Sequence, residues 1–268
     1  MNIHVVIFTY RPQSDCIMSA HENMIGLRSR GHQVQFGTIG SALVHRSRNL
    51  ALASVSEGHD AVIFLDDDML LTSPDSLATL IDDLDEHPIV SGLCTTRGTP
   101  KDTNAIDLAV KQWNAAGRLW FTMEYLVPNK VVTPKKGEYF GVGAACLAVR
   151  RDAAIKLIER YLNADDWLAD NRTMLDRLHV RNEYRIQEKE RIAAARYSLY
   201  EESKHVRVFG FPILENEVEL GEDVGFSMRC MQADIPIAID TRITPGHVGD
   251  YPYGAWNYVP KLERMKAS

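Results

Sequence analysis

The sequence predicts an α/β fold built on a mixed, mostly parallel sheet flanked by helices. Across residues 1–65, short β-rich apolar runs alternate with helically spaced runs in the order strand, helix, strand, helix, strand. This alternation is the pattern of a parallel sheet with crossover helices. The chain has 268 residues, of which 45% are hydrophobic and 25% charged, and both fractions are ordinary for a globular protein. A chain of this length can bury a large core without disulfides, so a mainly disordered protein is excluded.

The individual elements follow from local composition. Strands are predicted at 3–9, 33–39, 61–65, 88–94, 144–149, 207–213 and 235–239. Helices are predicted at 15–31, 43–57, 74–86, 151–162 and 222–233, where Gly31 and Gly58 end the first two and Ser73 with Pro74 starts the third. The segment 165–206 is charged and nearly free of Gly and Pro, which predicts a helical insertion. The stretch 244–260 is rich in Gly, Pro, Tyr and Trp and predicts a loop.

Charge and cysteine usage exclude several protein classes. The net charge of −6 and the pI of about 5.9 argue against nucleic-acid binding by the whole surface. The four cysteines are far apart and form no CxxC pair, which disfavours a structural zinc site and favours a reduced, cytoplasmic chain. No apolar run reaches the ~18–20 residues of a membrane span. The N-terminus reads as a first strand and not as a signal peptide.

Three consecutive aspartates, Asp66, Asp67 and Asp68, follow the apolar strand at 61–65 directly. Ligands of open α/β sheets bind at the carboxyl ends of the strands. Adjacent carboxylates repel one another unless a cation or hydrogen bonds compensate, and Mg²⁺ and Mn²⁺ prefer oxygen ligands. In an extended chain Asp66 and Asp68 point to one side, where they would face a metal or a ribose hydroxyl. The alternative is an acidic turn that caps the next helix.

Three further signals each have a functional and a structural interpretation. Glu222 and Asp223 lie at the predicted start of a helix, where the helix dipole alone favours carboxylates. His247 lies in a Gly-rich loop; it would complete a Mn²⁺ site only if that loop folds back on the aspartates. Arg46 and Arg48 open a predicted helix, where they would meet a diphosphate or simply lie on the surface.

Taken together, the motifs resemble family-2-like nucleotide-sugar glycosyltransferases of the GT-A fold. The resemblance covers roughly residues 3–250. The matching motifs are FTYRP at 8–12, SRN at 47–49, LDDD at 65–68, GVGAACLAVRR at 141–151, GED at 221–223 and HVG at 247–249. The resemblance implies a single GT-A-like catalytic domain with a nucleotide-binding half at 1–95 and an acceptor-side half at 96–250. The helical insertion at 165–206 lies in the second half, and a C-terminal tail spans 244–268.

On the donor side, the resemblance implies a nucleoside-diphosphate sugar, with UDP as the default nucleotide, and Mn²⁺ or Mg²⁺ as cofactor. The nucleobase and ribose would contact the loop after the first strand, and the metal would bind two aspartates and a C-terminal histidine. The implied donor-binding residues are Thr9, Tyr10, Arg11, Arg46, Arg48, Asp66 and Asp67, and the implied metal ligands are Asp66, Asp68 and His247.

On the acceptor side, the resemblance implies that Asp223 is the general base of an inverting enzyme, with Glu222 beside it. Gly141, Val142 and Gly143 resemble an acceptor-site segment, and Trp256 in the aromatic tail joins them as an acceptor contact. That tail would be either a lid over the donor or an ordinary surface loop. The QxxRW motif of processive membrane synthases is absent, so a soluble enzyme that makes single transfers is expected.

Three other functions are compatible with the same sequence. A retaining glycosyltransferase would not need a base at Asp223. A sugar-phosphate nucleotidyltransferase also uses paired aspartates and Mg²⁺, although TYRPQSD after the first strand lacks the usual glycines. A non-catalytic scaffold or polyanion-binding protein is a third possibility, because basic residues recur every four positions within the insertion. These residues are Arg177, Arg181, Arg185 and Lys189. They also leave a nucleic-acid acceptor open; the acceptor class and the oligomeric state are undetermined.

Overall fold

A computed structural model describes residues 1–9, 13–40, 44–94, 110–114, 119–120, 130–134, 138–162, 208–210, 221–248 and 253–254. The helices are α1 (Ser14–Ser29), α2 (Val44–Ala53), α3 (Ser76–Asp83), α4 (Arg151–Leu162) and α5 (Glu222–Gln232). The strands are β1 (Asn2–Phe8), β2 (Gln33–Ile39), β3 (Ala61–Asp66), β4 (Met69–Leu70), β5 (Ile89–Gly92), β6 (Val110–Asn114), β7 (Leu119–Trp120), β8 (Val131–Val132), β9 (Glu138–Val142), β10 (Cys146–Arg150), β11 (Ala238–Asp240), β12 (Gly246–His247) and β13 (Tyr253–Gly254).

Seven of the described strands form the main sheet in the order β2-β1-β3-β10-β5-β11-β8. The β2, β1 and β3 strands are parallel neighbours, as are β5 and β11. Both β3 and β5 pair antiparallel with the strand between them, β10, so five strands run one way and β10 and β8 run the other. The predicted fold class, a mostly parallel mixed sheet flanked by helices, is therefore confirmed.

The centre of the sheet is buried on both faces, which explains why its central strands are apolar throughout. Along β3, Val62 and Phe64 pack into one hydrophobic cluster, and Ile63 and Leu65 pack into the cluster on the opposite face. Successive side chains of a strand point to opposite faces, so a strand covered on both sides needs an unbroken apolar run. The apolar run at 61–65 ends at the half-buried Asp66, where the carboxylates begin.

Most predicted elements are present with small shifts at their ends. The helix predicted at 151–162 is α4 without change, and the one predicted at 43–57 is α2 followed by a 3₁₀ turn at Ser54–Glu57. That turn ends at Gly58, whose φ of 102° is a left-handed conformation that glycine adopts without a steric penalty. Residues 208–210, inside a predicted strand, are not a strand. Within the described ranges, no helix is long and apolar enough to cross a membrane.

Candidate functional site

The candidate site lies where β1 and β3 end side by side. Phe8 at the end of β1 is paired with Asp66 at the end of β3. The chain then turns at Asp67 and Asp68 into β4, and β4 pairs antiparallel with β12. This pairing brings His247 next to the aspartates. A metal site that includes His247 requires this approach. The backbone N–H of Val248 donates to the carbonyl of Asp68 at 2.7 Å and holds the return in place.

Each of the three aspartates has a different partner. Both carboxylate oxygens of Asp66 accept from Nη2 of Arg48, at 2.8 and 3.0 Å. Asp67 accepts from the Thr9 hydroxyl at 2.7 Å. Asp68 Oδ2 lies 3.4 Å from Nδ1 of His247, and both of these residues are buried. The alternation expected for an extended chain stops at Asp66, because the next two residues form a turn, and the contacts described for Asp66 and for Asp68 are with different side chains.

Arg48 is a buried cation among carboxylates. Its side chain is 4% exposed, its Nη1 donates to Glu222 at 2.7 Å, and its Nη2 donates to Asp66. The rings of Phe8 and Phe209 lie 5.8 and 5.9 Å from its guanidinium carbon. Burial alone would lower the pKa of Arg48, but the negative charges of Asp66 and Glu222 outweigh burial and raise that pKa above its ordinary value. Arg48 is therefore charged and enclosed, whereas Arg46 on the same helix is exposed.

Asp223 lies at the start of α5, beside the glycine segment predicted to bind the acceptor. Its Oδ1 accepts from the N–H of Val224 at 2.7 Å, and its Oδ2 is 3.7 Å from the position that a Cβ would take at Gly143. The backbone of Val142 is tied to the same helix, since its N–H donates to the Ser227 hydroxyl at 3.0 Å. The structure thus brings Asp223 next to the Gly141–Gly143 segment, with Gly141 in β9.

Asn49, the last residue of the SRN motif, makes a contact that the sequence did not predict. Asn49 is buried, its amide nitrogen donates to the carbonyl of Phe209 at 2.9 Å, and its amide oxygen accepts from the N–H of Phe209 at 2.8 Å. Phe209 stacks on Phe226 of α5 with ring centroids 4.4 Å apart. The only sequence feature that marked Asn49 was its place in the SRN motif, directly after Arg48.

Several of the predicted site residues lie outside the described residues. They are Tyr10, Arg11, Trp256, the basic residues Arg177, Arg181, Arg185 and Lys189, and most of the tail. Within the described part of the chain, no group of three or more His, Cys, Asp or Glu side chains is gathered as a metal site would require. The carboxylate of Asp68 and the imidazole of His247 nevertheless fit Mn²⁺, whose remaining positions phosphate and water would fill. Asp66 is turned towards Arg48 instead.

No protein-family model matches this chain, and no curated protein matches it either. Solved structures with a similar fold include protein A197 from STIV, at 12% identity over 93% of this chain and 87% of that chain, with a TM-score of 0.45. A mutant Drosophila β-1,4-galactosyltransferase 7, in a complex with manganese, UDP-Gal and xylobiose, is 11% identical over 93% of this chain and 72% of that chain, with a TM-score of 0.41.

A CMP:2-keto-3-deoxy-manno-octonic acid synthetase in complex with CTP is 13% identical over 100% of this chain and 99% of that chain, with a TM-score of 0.38. The similar structures thus include both a glycosyltransferase and a nucleotide synthetase. All three likenesses are distant, and the chemistry of the site therefore rests on this chain's own residues.

Proposed function

We propose that this protein is a metal-dependent glycosyltransferase of the GT-A type that moves a sugar from a nucleoside-diphosphate donor to a hydroxyl acceptor. The observation that carries the proposal is the return of β12 to the end of β3, which sets His247 against Asp68. A carboxylate and an imidazole are suitable ligands for Mn²⁺, and the carboxylate would also suit Mg²⁺. They stand at the sheet edge where ligands of α/β folds bind.

The donor would lie over the ends of β1 and β3. Thr9 and Asp67 are already hydrogen-bonded to each other there and would border the nucleoside, with Tyr10 and Arg11 following in the chain. Asp68 and His247 would hold the metal, which when bound neutralises the charge of the leaving diphosphate. The exposed Arg46 at the start of α2 would add a cation for the phosphates. UDP is the default nucleotide.

Asp223 would be the general base of an inverting transfer. It would accept the proton of the acceptor hydroxyl as that oxygen attacks the anomeric carbon and the bond from this carbon to the diphosphate breaks. Gly143 lies beside the Asp223 carboxylate; the acceptor would bind along the Gly141–Gly143 segment, with Trp256 as a further contact. All four cysteines are free and buried, which suits a reduced compartment such as the cytoplasm.

Calorimetry with UDP, GDP and CDP, each with and without Mn²⁺, tests the donor site. We expect one nucleotide to bind only with the metal, and Asp68→Ala to abolish this binding. Asp82→Ala is the matched control, since it removes an exposed carboxylate of α3 whose partner is Arg30, directly after α1. Failure of all three nucleotides to bind, or equal binding without metal, would contradict the proposal.

Turnover tests the base. Asp223→Asn should retain nucleotide binding and lower turnover by about 10²–10⁴-fold, the usual contribution of a general base. Product anomers followed by NMR would distinguish inversion from retention. If nucleoside triphosphates bind instead, and pyrophosphate is released with a sugar phosphate as co-substrate, the protein is a nucleotidyltransferase.

A further inference from the structure

Arg48 joins two parts of the site that are far apart in the sequence. One arm of its guanidinium binds Asp66 at the end of β3, and the other binds Glu222, the first residue of α5. Asp66 is 18 residues away in the sequence, and Glu222 is 174 residues away. No other ion pair that the structure describes connects the aspartate triplet with α5.

The guanidinium has no room to act as a contact for the donor. Its side chain is 4% exposed, and two phenylalanine rings flank it. Nη1 and Nη2 both donate to carboxylates, and Nε is buried without a hydrogen-bond partner. A donor diphosphate would have to displace a carboxylate to reach it. This geometry differs from the diphosphate contact that the sequence suggested.

The bridge ends one residue before the proposed base. Glu222 and Asp223 are the first two residues of α5. The Asp223 carboxylate accepts a hydrogen bond from the N–H of Val224, the next residue of the same helix. Holding Glu222 to the end of β3 therefore holds Asp223 at a set place relative to Asp68 and His247. Asn49 adds a second link between α2 and α5. Its amide forms two hydrogen bonds with the backbone of Phe209, whose ring stacks on Phe226 of α5.

We propose that Arg48 is a positioning residue, whose two-armed salt bridge to Asp66 and Glu222 sets the base Asp223 against the donor side of the site. This role rests on the proposed function, because it assumes that Asp223 acts on an acceptor beside a bound donor. Lysine cannot replace arginine here, because an ammonium is a point charge and lacks the planar fork that spans two carboxylates.

The test compares Arg48→Lys with Arg30→Lys. Arg30 is a matched control: its Nη1 and Nη2 also bind two carboxylates, Asp82 at 2.9 Å and Asp75 at 3.0 Å, but all three side chains are exposed. Hydrogen exchange followed by mass spectrometry should show lost protection over 221–232 in Arg48→Lys, with β1 and α1 unchanged. The Arg30→Lys protein should retain wild-type protection at 221–232.

Kinetics separate positioning from a structural role. For Arg48→Lys we expect the Kd of UDP with Mn²⁺ to stay at the wild-type value. Turnover, measured as UDP release from UDP-glucose with water as acceptor, should fall about 10²-fold, as expected when a catalytic group is displaced by about 1 Å. Unchanged turnover in the folded variant would mean that the bridge is only structural. A raised Kd for UDP, large enough to explain the lost turnover, would mean that Arg48 contacts the donor. Either result would overturn the proposal.

If Arg48→Lys does not fold, Glu222→Met and Glu222→Gln decide the question. Methionine removes one arm and leaves Arg48 paired with Asp66, so protection over 221–232 should be lost. Glutamine retains an oxygen that accepts from Nη1, so protection should return. Unchanged exchange in Glu222→Met would refute the bridge. Absence of nucleotide binding by the wild type would refute the proposed function instead, and the exchange data would remain interpretable without it.

Discussion

A buried pair of histidines, His4 and His59, should make the stability of this protein sensitive to acid. His4 on β1 is 8% exposed, its ring stacks on that of His59 with centroids 4.9 Å apart, and its Nδ1 lies 2.7 Å from the Ser54 hydroxyl. Ser54 donates its own proton to the Ala51 carbonyl, so His4 Nδ1 must be the donor in that contact. Burial, and then the proximity of His59, lowers the pKa of His4 from 6.5 to about 4.

The size of the effect follows from that difference in pKa. At 1.36 kcal/mol per pKa unit, a fall from 6.5 in the unfolded chain to about 4 in the folded one corresponds to about 3 kcal/mol. Because the folded chain disfavours the imidazolium, the full stability is present above the unfolded pKa and is lost as the pH falls towards 4. Between pH 7 and pH 5 the free energy of unfolding should fall by about 2 kcal/mol from this group alone.

Urea denaturation at pH 7, 6 and 5 measures this slope. We expect His4→Gln to remove most of it, whatever its stability at pH 7, because glutamine does not titrate. His21→Gln on the exposed face of α1 is the control, since it makes the same substitution at an exposed histidine. Equal pH slopes in the wild type and His4→Gln would refute the assignment of the acid sensitivity to His4.

Three further substitutions test the packing around the site and the surface, each by urea denaturation at pH 7. Asn49→Ala should lower the free energy of unfolding by about 2–4 kcal/mol, because it leaves the buried N–H and carbonyl of Phe209 without their side-chain partner; a loss below 1 kcal/mol would mean that water replaces the amide. Gly92→Ala should cost about 1–3 kcal/mol, since its new Cβ would lie 3.1 Å from Ile243 Cγ2 and 3.3 Å from the Ile243 carbonyl, and wild-type stability would show that Ile243 can move aside. Arg30→Ala should cost less than about 1 kcal/mol, because both of its ion pairs are exposed; a larger loss would contradict the view that surface pairs contribute little.

The helices and strands were predictable where the local pattern of apolar and polar residues is strong. The buried strand at 61–65 and the helix at 151–162 are unambiguous, because one is an unbroken apolar run bounded by polar residues and the other has helical spacing. The direction of β10 was not predictable. Its residues read as a strand, but only its neighbours β3 and β5 decide that it runs against them. Residues 208–210 were mispredicted because Phe209 is held by Asn49 and by stacking on Phe226, and not by a neighbouring strand.

The residues of the site were predictable from the sequence, but most of their contacts were not. The sequence by itself determined which side chains end the buried strand and which begin α5, since apolar runs and helix-start preferences are local properties. Only the tertiary structure decided their partners: Arg48 with Asp66 and Glu222, and Asp68 with His247. The physical reason is that ion pairs and hydrogen bonds between residues up to 179 positions apart depend on strand order and register. The packing of the whole sheet sets that order and register, and a short motif does not encode them.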